Sequence, residues 1–160
     1  MPAFPYRLQP LLDQKVELKQ EAERAQVERR KELRESEARL AELQSRQGEL
    51  ETARTACRTT LLSGESTGEE IRRRRDDLSL ATRRVEDIKD EVMAQRIEIE
   101  ERVELLENAT AALAAATREV EVLHKHRSRS ERRWLAELER KEAIEQDEIA
   151  AALFQTRRRP

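Results

Sequence analysis

Counting alternately three and four residues from Ile71 gives Ile71, Arg74, Leu78, Ala81, Val85, Ile88, Val92, Gln95, Ile99, Arg102, Leu106, Ala109, Leu113, Ala116, Val120 and Leu123, and only Arg74, Gln95 and Arg102 are polar. A 3,4 spacing held for more than seven heptads, with no Pro or Gly inside, specifies a long α-helix. Its apolar seam is narrow and must be covered by another helix. This stretch therefore excludes most folds before any other residue is read.

The composition agrees. With 41% charged residues, 2% aromatics and a mean hydropathy of -0.91, the bias toward Ala, Glu, Leu and Arg is that of a coiled coil. Two-stranded seams bury thin strips of side chains and enclose no cavity for a small substrate, which argues against an enzyme. No phosphate-cradling Gly motif, nucleophile elbow or Cys pair occurs, so nucleotide hydrolysis by the chain itself and any cofactor are not expected. His124 and His126 stand two apart, on different sides of a helix, and cannot ligate one metal as an i, i+4 pair can. Abundant carboxylates interleaved with Arg are the pattern of a solvated, salt-bridged face.

The lone Cys57 excludes an intrachain disulfide; at a seam-like position it reads as a small buried thiol suited to a reducing cytoplasm. There is no run of about 18 apolar residues and no charged-then-apolar leader, so neither direct membrane insertion nor Sec export is expected.

Before the second helix, Met1 to Gln9 holds Pro2, Pro5, Phe4 and Tyr6, an extended lead-in ended by Pro10 in the first turn of a helix. The first helix carries a weaker seam: Leu11, Lys15, Leu18, Ala22, Ala25 and Arg29, then Leu33, Ser36, Leu40, Leu43, Gln47, Leu50, Arg54, Cys57 and Leu61, with one extra residue between Arg29 and Leu33. The cluster Ser63-Gly64-Glu65-Ser66-Thr67-Gly68-Glu69 should reverse the chain. Gly64 can close the first helix in the left-handed conformation, and Thr67 with Glu70 makes a capping box that opens the second.

Pairing the seams antiparallel matches Leu61 with Ile71, Leu50 with Ala81, Leu43 with Ile88, Leu40 with Val92, Leu33 with Ile99, Leu18 with Leu113 and Leu11 with Val120. Ser36 falls opposite Gln95, and Arg29 opposite Arg102, as polar layers. The expected fold class is all-α, two long helices forming an antiparallel coiled-coil hairpin with the C-terminal helix longer. It is read as one domain over residues 1–160, with helix one about 9–62, a turn at 63–68 and helix two about 69–155.

At 1.5 Å per residue helix one would measure about 80 Å and helix two about 130 Å, so helix two overshoots. Beyond about Leu123 no cover from the same chain is expected. Yet Trp134, Leu135, Leu138, Ile149, Ala152 and Leu153 fall within a roughly 100° arc of the wheel, which implies a partner molecule.

Basic bands at Arg72 to Arg75 and at Lys125 to Arg133 are followed by acidic Glu137 to Glu148 and then by Arg157 to Arg159. Such alternation suits docking on a charged protein surface. A continuous basic face with stacking aromatics, which nucleic acid would favour, is missing, so no nucleic acid is expected as a partner. The net charge of -2 and pI of about 5.9 give no general attraction to polyanions. A homodimeric structural coiled-coil scaffold, zipped through residues 124–154, explains the same seams and stands as the alternative.

Two terminal stretches carry a resemblance. Pro5-Tyr6-Arg7-Leu8-Gln9-Pro10-Leu11-Leu12-Asp13 at the start, and Arg133-Trp134-Leu135-Ala136-Glu137-Leu138-Glu139-Arg140-Lys141-Glu142 then Gln146-Asp147-Glu148-Ile149-Ala150 near the finish, resemble the FliJ family. These are the type III export stalk proteins of flagella, with the SctO (YscO-type) members of virulence injectisomes. The two stretches cover about a fifth of the chain, and the middle matches any coiled coil. Ala143-Ile144-Glu145 departs from the more polar spacing of the family, which leaves the flagellar and virulence branches open.

The resemblance implies a stalk similar to the γ subunit of rotary ATPases. The end bearing both termini would enter the pore of the hexameric type III export ATPase, and the other end would reach the cytoplasmic domain of the export gate membrane protein. Secretion chaperones join the partners it implies, and the place it implies is the cytoplasm, peripheral to the inner membrane. On that resemblance Tyr6, Leu8, Leu11, Trp134, Leu138 and Ile149 would supply apolar contact to the ring, and Arg140, Lys141, Glu142, Asp147 and Glu148 would meet its charged pore. Leu61, Leu62 and Ile71 at the hairpin tip would touch the gate.

Overall fold

The computed structural model describes residues 4–64 and 67–157, apart from the side chains of Leu153, Gln155, Thr156 and Arg157. Residues 1–3, Glu65, Ser66, Arg158 and Arg159 of the motifs read above, and Pro160, lie outside the described residues. Two helices make up the fold, α1 over Gln9–Leu62 and α2 over Gly68–Arg157. It is an all-α helical hairpin in which the second helix, at 90 residues against 54, is the longer. No described helix is long and apolar enough to cross a membrane.

The helix ends follow from local chemistry. Pro10 sits in the first turn of α1, where a missing N–H costs nothing, and the Gln9 and Leu12 N–H groups donate to the Tyr6 and Leu8 carbonyls at 3.1 and 3.0 Å. Beyond the last turn of α1, Gly64 takes a φ of 96°, a conformation a side chain would strain. The Thr67 N–H donates to the Glu70 carboxylate at 3.0 Å and the Glu70 N–H to the Thr67 hydroxyl at 3.4 Å, the reciprocal capping box at the start of α2. Arg74 explains its polar place in the seam: its guanidinium donates to the carbonyls of Thr60 at 3.0 Å and Ser63 at 3.1 Å at the end of α1, where carbonyls lack helical partners, and the Ser63 hydroxyl also donates to the Thr60 carbonyl at 3.2 Å.

Packing divides the chain into two compact units, residues 1–23 with 112–160 and residues 24–111. Within the second, Val85, Ile88 and Val92 are buried and Leu33, Leu40, Leu43, Leu50, Cys57 and Leu61 half-buried. The antiparallel register shows in polar contacts. The Gln95 amide donates to the Ser36 carbonyl at 3.5 Å, and both side chains are buried. The layer read as Arg29 opposite Arg102 is joined through a carboxylate: Glu32 lies 2.8 Å from Arg29 and 3.2 Å from Arg102. Arg102 also donates to Glu98 at 2.8 and 3.0 Å. That bond, more than any other contact, holds the Glu98 carboxyl below its ordinary range and raises the Arg102 guanidinium.

In the first unit Leu12 and Val120 are buried, with Lys15, Val16, Lys19, Ala22, Leu113, Ala116 and Leu123 half-buried. This corrects the first half of the α1 seam. Leu11, Leu18 and Ala25 are exposed, and the inward count is Leu12, Lys15, Lys19 and Ala22, continued in the other unit by Gln26, Arg29 and Leu33. Only Arg29 in that count is exposed. No residue is inserted between Arg29 and Leu33, because an unbroken 3,4 count from Leu12 reaches Leu61. The eye prefers Leu11 and Leu18 to Lys15 and Lys19, but a lysine stem can lie along an apolar seam while its ammonium reaches out, as Lys15 does toward Glu119 at 2.6 Å.

Candidate partner-binding surfaces

The aromatic side chains are few, one Trp, one Tyr and two Phe, and Phe4, Tyr6 and Trp134 converge in the first unit. The Phe4 ring lies 5.8 Å from Trp134 and 6.1 Å from Tyr6, both tilted, geometries that aromatic quadrupoles favour. Tyr6 is also 5.8 Å from the His126 ring. Its hydroxyl donates to the Leu123 carbonyl at 3.2 Å and sits 3.1 Å from His126 Nδ1. Since the hydroxyl has one proton, the imidazole must supply Nδ1–H to the second contact.

The extended lead-in thus fastens to α2 and half-covers Trp134. This corrects the expectation that nothing in the chain covers α2 beyond Leu123. From Glu139 onward every described side chain through Phe154 is exposed, including Ile144 and Ile149.

Tyr6 and Trp134 are therefore brought together through Phe4, while Leu8 and Leu11 are exposed on the opening of α1 and Leu138 is half-buried. Arg140, Lys141, Glu142, Asp147, Glu148 and Ile149 are exposed farther along α2, and no described contact gathers them with the aromatic group. In the other unit Leu62 and Ile71 are exposed, Leu62 at 78%, and Leu61 is half-buried. Sequence reading missed Phe4 and His126 as members of the aromatic group. The available signal was the rarity of aromatics, with two packed into one lead-in. Among the described residues no group of three or more metal-ligating side chains forms.

A YscO-like protein family model matches residues 3–160. The chain belongs to the YscO-like family. That family makes it a stalk-type component of type III secretion, as its terminal stretches implied. Among solved structures, a protein described as a YscO homolog, CT670 of Chlamydia trachomatis, superposes with a TM-score of 0.82 at 23% identity, covering 97% of this chain and 98% of the other. At that identity the likeness speaks to the YscO-like fold alone. No curated protein matches the sequence.

Proposed function

We propose that this YscO-like chain is the central stalk of a bacterial type III export apparatus, whose termini end engages the pore of the hexameric export ATPase and stimulates it. The observation that carries the reading is the exposed run of α2 from Glu139, with apolar Ile144 and Ile149 set among Arg140, Lys141, Glu142, Asp147 and Glu148. Helices that expose apolar side chains amid charge are built for a partner. Tyr6, Leu8, Leu11, Trp134 and Leu138 contribute the rest of the ring contact, and Leu61, Leu62 and Ile71 meet the export gate. The chain does no bond chemistry. A single rod in a near-sixfold ring favours one subunit conformation at a time, and so promotes assembly and turnover. It works in the cytoplasm at the inner face of the secretion apparatus, where chaperones can also reach it.

The test mixes the purified chain with its cognate ATPase and measures phosphate release. Turnover should rise, and should return to the basal rate when residues 134–160 are removed. No stimulation by the intact chain defeats the proposal, and so does stimulation that survives the truncation. A stable dimer that the same truncation converts to monomer, with ATPase turnover unaffected throughout, would favour the scaffold instead.

A further inference from the structure

Within the first unit the two kinds of side chain are distributed against their hydrophobicity: Lys15 and Lys19 lie half-buried on the seam while Leu11 and Leu18 stand outside it, 40% and 44% exposed. An exposed leucine forfeits the stabilisation that burial gives it, so a leucine pair at seven-residue spacing beside the seam marks a place for a further helix. An open groove of about 350 Å³ lies there, lined by Leu11, Lys15, Arg118, Glu119, Val122 and Leu123. Ala112 and Ala115 precede the groove residues Glu119 and Val122 on one face of α2 at 3,4,3 spacing, and all four are exposed. Alanines there let another backbone approach closely.

We infer that this groove docks an amphipathic helix of another protein, with leucine-like residues facing Leu11, Leu18 and Val122 and an acidic ridge along its α2 side. The charge comes from Arg118, Lys125, Arg129 and Arg132, which run beside Val122 on the outer face of α2 at helical spacing. Among the described residues none of the four enters an ion pair or hydrogen bond, whereas Lys15 and Lys19 in the same unit are paired. Beside the groove, at Arg118 and Val122, the basic stripe is bordered by Glu119 on the groove side and Glu121 on the other, and farther along α2 Arg133 stands next to Arg129 and widens it. A membrane surface or a nucleic-acid duplex is broad enough to bring its phosphates against those carboxylates. A single helix with a narrow acidic ridge is not, which is how flanking charges choose partners in coiled coils. Leu11 is shared with the proposed ring contact, whereas Leu18, Val122 and these cations lie outside the residues assigned to the ring, so variants at the latter separate this docking from the ATPase reading.

The experiment uses the full chain and two labelled helical peptides that share one leucine stripe, one with Glu and the other with Lys along the same flank, read by fluorescence anisotropy. The Glu peptide should bind and the Lys peptide should not. Leu18→Asp or Val122→Asp should weaken binding about tenfold or more. Combined Arg118→Glu, Lys125→Glu and Arg129→Glu should reverse the preference. All these positions are exposed, so circular dichroism should show unchanged helicity, and stimulation of the ATPase should be retained. Equal binding of both peptides, or binding indifferent to Leu18→Asp and Val122→Asp, overturns the inference. Tighter binding of an RNA duplex does so too, as does a self-dimer in sedimentation that Leu18→Asp dissolves.

Discussion

Gly48 and Gly64 show how one residue type serves opposite ends. Gly48 lies inside α1 with nothing within 4 Å of an added Cβ, so its backbone freedom is pure loss. Gly48→Ala should stabilise the chain by about 0.5–1 kcal/mol. Gly64 has equally open space but a φ of 96°, and Gly64→Ala should cost about 1 kcal/mol. Urea midpoints moving in opposite directions would verify both; a shared direction would reject the argument. Glu98 makes a prediction in pH. Its folded carboxyl is held low, first by the Arg102 hydrogen bond. It therefore contributes stability above the unfolded value near 4.5, and that contribution fades as pH falls through the lower folded value. Glu98→Gln should lower the melting temperature at about pH 7, and wild type and variant should converge in acid, once the folded carboxyl is protonated. The effect is small because the side chain is 40% exposed.

At the scale of the element, α2 was legible from its seam because Val85, Ile88, Val92 and Val120 repeat where a helix must repeat them, and all are buried. The opening of α1 was harder, since Leu11 and Leu12 are adjacent and periodicity alone cannot say which faces inward. Counting from Leu11 needs a slip, whereas counting from Leu12 needs two seam lysines. Lysine stems make the second solution affordable. The same physics predicts that Lys19→Leu, at a half-buried position with only an i, i+4 ion pair to Glu23 at 3.4 Å, stabilises the hairpin by about 1 kcal/mol. A chemical denaturation series should show it, whereas a loss of stability would mean that Lys19 does not face the seam. The lead-in was legible only as extended chain. That Phe4 reaches Trp134 depends on contacts far apart in sequence, which no local period encodes.

For the molecule as a whole, the stalk reading requires stability and partner contact to reside in different residues, which makes them separable. Val85 is fully buried, and Val85→Ala should cost about 2 kcal/mol through lost burial and the cavity left behind. Where the variant remains folded, its stimulation of the export ATPase should match wild type, because Val85 touches nothing outside the chain. Ile149 is 61% exposed, so Ile149→Asp should leave the unfolding free energy within about 0.5 kcal/mol of wild type and the melting temperature nearly unchanged. If Ile149 enters the ring, the same change should reduce stimulation several-fold, since an unpaired carboxylate would then be desolvated at the contact. The two variants cross over: one shifts melting and spares turnover, the other spares melting and lowers turnover. Should Ile149→Asp leave both untouched, the exposed run of α2 is not the gripping surface, and the ring contact must be sought among Phe4, Tyr6 and Trp134.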